Sequence, residues 1–455
     1  MISRKKQHIK LWLIMIIAVA FWTIGSGFYR NLAADAKETY KGLKLFTDVI
    51  ELVEKTYVDE VDMKKMIERA IHGMVHGLDP HSSLLLPDDL KDLQIDTHGE
   101  FTGIGIRITM KKGFITVISP IEGTPAFKTG VKAGDKIIKV DGKPAKKLRE
   151  AVKMIRGPKG TKVTITIIRE GIKKPMDFSL VRDIIPIESV KSIVLKPGYG
   201  YIWITNFRDN TTGDLVASLE KFESGEVPLK GLILDLRNNP GGLLNQSIKV
   251  ADLFIEKGEI LSIKGRLKKN TKIFKAKSDQ TKRNYPLVVL INGGSASASE
   301  IVAGALQDHQ RALILGTASF GKGSVQTVET LREGYGLKLT IARYYTPSGR
   351  SIQAKGIEPD IIVKKRFVDK EDQDEFTDGL TKEKDLENHL EAKPNQKQEN
   401  QKEPISKEIN VEKPDVESPD SDLDHLKLER LQLDNQVMRA LDILLSYEIF
   451  KGING

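Results

Sequence analysis

Apolar residues follow three different spacings along this chain, and each spacing predicts a different kind of structure. Between residues 40 and 76 they recur every three to four positions, as at Leu43 and Phe46, which is typical of amphipathic helices. From residue 99 onward apolar and polar residues alternate, which predicts strands. Between residues 200 and 345 short apolar runs alternate with helical patterns, and this order predicts a covered, largely parallel sheet.

The alternating region contains a short helical pattern at 151–156, which stops at Gly157-Pro158. The strands predicted around it are 102–108, 114–118, 134–142 and 163–169. Strands around one short helix over this length resemble a PDZ domain. The resemblance is strengthened by the order Thr124-Pro-Ala126, then Gly134-Asp135.

The segment Gly103-Ile104-Gly105-Ile106 falls where PDZ domains place their carboxylate-binding loop. Glycines let successive backbone N–H groups point at one anion, and the strand that follows can pair with a peptide. The same segment taken alone is also compatible with a plain bend. With the resemblance, these four residues and Arg156 at the end of the short helix are predicted to bind peptide.

The later region contains buried strands at 230–236 and 286–291, each followed by a helical pattern, at 243–255 and from Glu300 onward. Residues 324–330 alternate like a further strand. Residues 369–424 are rich in charged and amide side chains, with about twice as many acids as bases, so the sequence predicts a disordered acidic linker over 366–425.

Beyond this linker a helical pattern returns. Its apolar positions are Leu433, Val437, Leu441, Leu444 and Leu445. An amphipathic helix on a flexible tether is expected to dock, either as a dimer contact or on the body of the protein.

The N-terminus carries Arg4, Lys5, Lys6 and Lys10 before an apolar run over 11–28. A cationic flank and a run of this length predict a signal anchor or a signal peptide over 1–36. The length favours an uncleaved anchor, while Ala34-Asp-Ala36 offers a cleavage site. The expectation is a single-pass cell-membrane protein with its bulk on the periplasmic side, or alternatively a protein secreted to the periplasm.

Composition excludes several classes of chemistry. The chain of 455 residues has no cysteine, so disulfides, thiolate catalysis and cysteine zinc sites are excluded. The net charge of +9 comes without interleaved arginines and aromatics, and no nucleic-acid partner is expected. His72, His76 and His81 lack partners at metal-ligand spacing, so capping and loop hydrogen bonds are their expected roles. Neither a metal nor a cofactor is expected.

The segment Ser295-Ala-Ser-Ala-Ser-Glu300 lies between a strand and a helix. Ser297 is therefore placed at a helix start, where it is either an N-cap, with Glu300 completing a capping box, or a nucleophile. The two roles are compatible. The N–H of Ala298 in the first turn is a candidate oxyanion donor, and Gly241 or Gly242 in Asp235-Leu-Arg-Asn-Asn-Pro-Gly-Gly242 is a candidate for the second.

The candidate base is Lys322 in Phe320-Gly-Lys-Gly-Ser-Val-Gln326. A free lysine, with a pKa of roughly 10.4, is neutral at pH 7 in only about one molecule in 2,500. Burial that lowers the pKa by about three units costs roughly 4 kcal/mol. Gln326 shares a strand face with position 322, so it is predicted to orient the amine. Taken alone, Lys322 is better explained as a surface lysine in a glycine turn.

A phosphate-binding loop is the competing interpretation, because 316–322 fits the opening G-x-x-x-x-G-K of that motif. The next residue must be Ser or Thr to hold magnesium, and here it is Gly323. A helix must follow, yet 324–330 alternates like a strand. Nucleotide binding is therefore disfavoured.

Taken together, these motifs resemble the carboxyl-terminal processing, or tail-specific, proteases over about residues 40–362. Besides the segments above, the resemblance includes Leu78-Asp-Pro-His-Ser82 and Tyr345-Thr-Pro-Ser-Gly-Arg-Ser-Ile352. It implies that Ser297 is the nucleophile, Lys322 the general base and Gln326 the residue that orients the lysine. It also implies that the PDZ domain captures a nonpolar C-terminus and presents it to a Ser–Lys dyad.

The expected fold class is α+β multidomain, with a mixed α/β protease core of crotonase-like character. The predicted domains are the N-terminal segment 1–36, a helical region 37–98, a PDZ domain 99–183, the protease core 184–365, the linker 366–425 and a C-terminal helix 426–455.

The expected function is that of an exported serine endopeptidase, and the alternative is a PDZ scaffold or chaperone on an inactive protease frame. The expected partners are protein substrates with exposed nonpolar C-termini and the cytoplasmic membrane, with a homodimer and an adaptor protein left open. Arg156 is either a coupling residue between peptide site and active site or a solvated rim arginine.

Overall fold

The computed structural model describes residues 38–277, 283–366, 381–391 and 427–453. The chain divides into two compact units, with the boundary between Met74 and Val75. In chain order, the helices of the described residues are α1 (38–56), α2 (Met63–His76), α3 (Pro87–His98), α4 (Pro125–Thr129), α5 (Leu148–Ile155), α6 (Thr211–Glu223), α7 (Leu244–Asp252), α8 (Ala298–Asp308), α9 (Leu428–Leu433) and α10 (Asn435–Ile453).

The N-terminal unit contains α1 and most of α2, which confirms the two helices predicted from the three- to four-residue spacing. The apolar stripe of α1 is largely exposed. Leu43, Phe46 and Val49 keep 60%, 44% and 50% of their surface accessible. These apolar residues therefore lie on one face of a helix but are not packed into a hydrophobic core.

The predicted PDZ region contains one antiparallel sheet with its own core, into which α5 packs through Ala151 and Ile155. Its strands are β3 (Ile106–Lys111), β4 (Phe114–Pro120), β5 (Lys136–Val140), β6 (Lys143–Pro144), β7 (Lys162–Ile168) and β8 (Met176–Val181). The prediction of one strand over 102–108 is wrong. Gly105, at φ +75°, breaks the extended backbone, so that β2 (Glu100–Gly103) pairs separately with β9 (Asp183–Pro186).

The core of the molecule is a six-stranded sheet in which all neighbours are parallel except the first pair. Its order is β10 (Val190–Lys196), β11 (Tyr199–Ile204), β12 (Gly231–Asp235), β15 (Leu287–Ile291), β16 (Leu313–Gly316) and β19 (Ile361–Ile362). The central strands are buried on both faces, which explains their continuous apolar sequence. This confirms the predicted parallel sheet.

A second, antiparallel sheet was missed by the sequence analysis. It contains β1 (Ser83–Leu85), β13 (Glu259–Gly265), β14 (Lys272–Lys275), β17 (Ser324–Thr330) and β18 (Gly336–Tyr345). The helices α7 and α8 pack between the two sheets, with Val250 and Val302 in one cluster with Ile260 and Tyr344. Because β17 directly follows Lys322, this sheet positions the predicted base opposite α8.

The C-terminal helices dock on the body of the protein. Val437, Leu441 and Leu444 of α10 pack against the face of the parallel sheet that α6, α7 and α8 leave uncovered. The prediction that these apolar residues dock is confirmed for Val437, Leu441 and Leu444. It is wrong for Leu433, which is 60% exposed because it is the last residue of α9 and does not belong to the helix that packs on the sheet.

The predicted linker 366–425 is not uniformly disordered. Residues 381–391 have a defined conformation, with a 3-10 turn over Glu383–Asp385 and a fully buried Glu383 side chain. Composition alone misses this segment because a few specific contacts, rather than apolar area, hold it. The remaining stretches of the linker lie outside the described residues.

The prediction of a single-pass membrane protein is corrected by the structure. Within residues 38–277, 283–366, 381–391 and 427–453, every helix is too short or too polar to cross a bilayer. The apolar run 11–28, on which the prediction was placed, lies outside the described residues. The mixed α/β fold with a PDZ domain is confirmed, whereas a crotonase-like character and the remaining domain limits stay predictions.

Candidate active site

Ser297 lies at the strand-to-helix turn predicted from the sequence, one residue before α8. Its backbone has φ 54° and ψ −111°, a strained conformation for a residue with a Cβ, which costs on the order of 1–3 kcal/mol. The structure also separates Ser297 from its two neighbours. The hydroxyls of Ser295 and Ser299 are buried and donate to the carbonyls of Leu236 and Asn239, whereas Ser297 lines an open cleft.

Glu300 anchors this turn. Its fully buried carboxylate accepts the N–H of Ser297 at 2.7 Å, the N–H of Gly321 at 2.7 Å, the N–H of Lys322 at 2.9 Å and the hydroxyl of Ser319 at 2.5 Å. Burial raises the pKa of Glu300 to about 7, and the four hydrogen bonds act in the opposite direction. The capping role predicted for Glu300 is thus part of a larger junction between two loops.

Lys322 lies two residues before β17, in the same cleft as Ser297. Burial, and then the positive charge of Lys338, lowers the pKa of Lys322 to about 8, against the opposing effect of Glu383, Glu300 and Asp79. About a tenth of the lysine is then neutral at pH 7. The buried amine is therefore far better suited to accept a proton than an exposed lysine.

The cleft has a volume of about 770 Å³. The predicted site residues that it brings together are Ser297, Lys322, Gln326, Gly241, Gly242 and Ala298. Tyr344 joins them: its hydroxyl donates to the carbonyl of Lys322 and shares a side-chain hydrogen bond with Ser297.

Two of the three predicted oxyanion donors have an available N–H. Gly241 donates to Oδ1 of Asn239 at 2.9 Å, so its N–H is already used. The N–H groups of Gly242 and Ala298 point to no acceptor in the described part of the chain. Gly241 also packs tightly on Ser297, since an added Cβ would lie 2.8 Å from the serine Cβ. The structure therefore favours Gly242 over Gly241.

Gln326 lines the cleft, but its amide donates to the hydroxyls of Ser324 at 2.9 Å and Thr340 at 3.2 Å. Thr340 in turn donates to Asp79 at 3.1 Å. Direct orientation of the lysine amine by Gln326 stays a prediction. The Leu78–Ser82 motif is nevertheless connected to the site through Asp79.

The predicted peptide-binding residues also lie together. Gly103, Ile104, Gly105, Ile106 and Arg156 line a groove of about 130 Å³ beside α5. The other side chains of the groove are apolar: Phe101, Ile108, Val152 and Ile155. Arg156 donates to Oδ1 of Asp92 on α3 at 2.9 Å, and its guanidinium lies 5.4 Å from the centre of the Phe101 ring.

Sequence reasoning missed three side chains of this region: Tyr344, Lys338 and Glu383. Tyr344 and Lys338 lie on β18, in a sequence without a recognisable catalytic motif. Glu383 lies in a stretch whose composition predicts disorder. His81, which was predicted to make loop hydrogen bonds, contacts Glu383 through Nε2.

The chain is similar to known proteins over most of its length. Peptidase family S41 matches residues 198–363, a PDZ domain matches 102–180, and the activating protease CtpB N-terminal domain matches 27–86. The carboxy-terminal-processing protease of Bartonella bacilliformis is 50% identical over 78% of this chain and 82% of its own length. The carboxy-terminal processing protease CtpA of Bacillus subtilis is 36% identical over 78% and 77%.

A solved structure of a photosystem II D1 C-terminal processing protease is 32% identical, covers 70% of this chain and 92% of its own, and has a TM-score of 0.41. The fold, the cleft and the sequence relatives define a serine peptidase with a PDZ domain. Within that class, the chain belongs to peptidase family S41, the carboxy-terminal processing proteases.

Proposed function

We propose that the chain hydrolyses peptide bonds in proteins with nonpolar C-termini, using Ser297 as the nucleophile and Lys322 as the general base. The observation that carries this proposal is the partly buried Lys322 side chain in the cleft that Ser297 lines, where desolvation lowers the pKa of its amine to about 8. Among the three serines of the motif, Ser297 alone has its hydroxyl in that cleft rather than in a buried contact with a backbone carbonyl.

In the proposed reaction, neutral Lys322 accepts the proton of Ser297 as Oγ attacks the scissile carbonyl carbon. The N–H groups of Ala298 and Gly242 stabilise the oxyanion that forms. The lysine ammonium then protonates the leaving amine, which produces an ester on Ser297. Water, deprotonated by Lys322, then attacks the ester carbonyl, and the lysine ammonium returns that proton to Oγ of Ser297 as the bond to the serine breaks and the new carboxylic acid is released.

Substrate recognition is assigned to the groove at 103–106. Its apolar walls favour nonpolar side chains, and its glycine-containing loop suits a terminal carboxylate. The helix α3 contacts Arg156 through Asp92, and its residues Leu93 and Gln94 line the catalytic cleft. We assign the Arg156–Asp92 pair to coupling between peptide occupancy and catalysis, although an exposed pair of this kind contributes only about 0–1 kcal/mol to stability.

The test uses the full chain and an unfolded polypeptide that ends in apolar residues, compared with the same polypeptide ending in two aspartates. Wild type is expected to cleave the first substrate faster. Ser297→Ala and Lys322→Ala are each expected to abolish cleavage, while Lys355→Ala, an exposed lysine nearby, is expected to retain it. Cleavage that survives both substitutions would overturn the dyad, and no cleavage by wild type would favour the scaffold alternative.

The coupling through Arg156 has a separate test. Arg156→Ala is expected to reduce the acceleration that the apolar tail produces, while leaving cleavage of the aspartate-ended polypeptide unchanged. Lys147→Ala is the control, because Lys147 lies directly before α5 and pairs with Glu150 on that helix. Equal acceleration in all three proteins would identify Arg156 as a rim residue.

A further inference from the structure

The segment 381–391, here called the docked segment, contacts the loop that carries Lys322. The amine of Lys382 donates to the carbonyls of Ala318 at 2.7 Å and Ser319 at 3.2 Å. The N–H of Glu383 donates to the carbonyl of Phe320 at 3.2 Å. Three successive carbonyls just before the candidate base are therefore held by a segment that lies about sixty residues further along the chain.

Glu383 is fully buried within this contact. A buried carboxylate is costly unless it is paired and hydrogen-bonded, and Glu383 has two such partners. Nε2 of Gln353 donates to Oε1 at 2.8 Å, and Nε2 of His81 lies 2.9 and 2.7 Å from the two carboxylate oxygens. Because a carboxylate only accepts hydrogen bonds, Nε2 of His81 carries the proton in this contact.

Gln353 relays the contact to the base. Its Oε1 accepts the N–H of Gly323 at 3.0 Å, directly after Lys322. The packing is close, since a Cβ on Gly323 would lie 2.5 Å from the backbone nitrogen of Gln353. The backbone on both sides of Lys322 is thus held, by Glu300 from α8 and by Gln353 from the Glu383 cluster.

Several charges surround the amine of Lys322. Lys338 disfavours its ammonium form, whereas Glu383, Glu300 and Asp79 favour it. Lys338 itself interacts with Asp79, and His81 faces Glu383. Glu383 therefore acts on the base in two ways, through the geometry of its loop and through its negative charge.

We propose that Glu383 is a positioning residue of the active site, which is itself held by His81, holds the Lys322 loop through Gln353 and places a negative charge beside the general base. The docked segment is then part of the working enzyme rather than a spacer to the C-terminal helices. This inference rests on the proposed role of Lys322 as the base.

The experiment measures kcat and KM against pH for the full chain with the apolar-tailed polypeptide. Glu383→Gln keeps the size of the side chain but removes its charge. Its kcat is expected to fall, and the acid limb of kcat/KM is expected to move to lower pH by about half a unit or more, because the ammonium form of Lys322 loses a stabilising charge. KM is expected to change little.

Glu387→Gln is the matched control, because Glu387 is exposed on the same segment. It is expected to behave like wild type. Lys382→Met is the second variant, which removes the contacts to Ala318 and Ser319 without touching the buried carboxylate. Lys382→Met is expected to lower kcat while leaving the acid limb in place. If Glu383→Gln fails to fold, Lys382→Met still tests whether the docked segment supports catalysis.

The outcomes separate this inference from the proposed function. An acid limb that moves in Lys338→Met but not in Glu383→Gln, or that moves equally in Glu387→Gln, would overturn the role of Glu383 and leave Lys322 as the base. Activity that persists in Lys322→Ala would instead overturn the base assignment itself. An acid limb that moves to lower pH in Glu383→Gln, moves to higher pH in Lys338→Met and stays in place in Glu387→Gln supports the inference.

Discussion

The backbone N–H groups of Ser297 and Lys322 donate to one atom, Oε2 of Glu300, at 2.7 and 2.9 Å. The two residues belong to different loops: Ser297 lies one residue before α8, and Lys322 lies two residues before β17. Their shared acceptor fixes the main chains that carry the proposed nucleophile and base. The distance between the two functional groups is therefore set by the backbone as well as by the flexible lysine side chain.

Glu300→Gln is expected to damage both stability and catalysis. An amide nitrogen cannot accept the hydrogen bonds that one carboxylate oxygen accepts, so two buried donors lose their acceptor. We expect the free energy of unfolding to fall by about 2–4 kcal/mol and kcat/KM to fall by about 10²-fold or more. Denaturant unfolding and cleavage assays measure the two effects. Glu358→Gln, at an exposed position, is the control; equal stability in both variants would contradict the anchoring role.

The serines of the motif are expected to differ sharply. Ser297→Ala removes the proposed nucleophile and is expected to lower kcat by at least about 10³-fold without loss of fold. Ser299→Ala removes a buried hydrogen bond to Asn239, so it is expected to retain cleavage and lose about 1 kcal/mol of stability. Cleavage rates and thermal unfolding of both variants check this, and an active Ser297→Ala enzyme would rule out the assignment.

The pH dependence follows from the Lys322 pKa of about 8. Below that pH the amine is an ammonium ion and cannot accept the serine proton, so kcat/KM is expected to fall about tenfold per pH unit on the acid side. Lys338→Met removes the positive neighbour and is expected to move this limb to higher pH. A limb at the same pH in wild type and Lys338→Met would contradict the electrostatic role of Lys338.

Two glycines of the PDZ region offer a matched pair of variants. Gly105 and Gly113 have φ of +75° and +79°, but an added Cβ would lie 2.3 Å from the Thr124 side chain at Gly105 and meet nothing within 4 Å at Gly113. Gly105→Ala is expected to abolish binding of an apolar C-terminal peptide, whereas Gly113→Ala is expected to cost only about 1–2 kcal/mol of backbone strain. Peptide titration of both variants measures this. Equal binding would argue against the assigned groove.

The C-terminal helices are expected to support the oxyanion loop. Arg237, in the same loop as Gly242, is buried between Asp235 and Asp434, which lies between α9 and α10. Asp434→Ala leaves part of a buried cation uncompensated, and we expect a loss of about 3 kcal/mol in stability. Asp442→Asn, at an exposed position of α10, is the control. Unfolding curves that coincide for the two variants would contradict this role.

Much of the fold follows from local sequence. The helices of the N-terminal region lie where the spacing of their apolar residues predicts them. The strands on either side of the short helix at 148–155 and the parallel strands show the apolar spacing that their burial requires. The second sheet was missed because its strands are half exposed and joined across long distances in sequence. The break at Gly105 was missed because two short strands and one long strand have the same alternation.

The sequence by itself determined the motif positions of Ser297 and Lys322, because a strand-to-helix turn and a strand after a glycine pair are local properties. Only the tertiary structure decided which hydroxyl faces the cleft, which N–H groups are available and which charges surround the lysine. Those properties depend on partners distant in sequence: Asn239 occupies the N–H of Gly241, and Glu383 reaches the Lys322 loop from a stretch whose composition predicts disorder. Burial and electrostatics arise from the packed chain, so no local pattern encodes them.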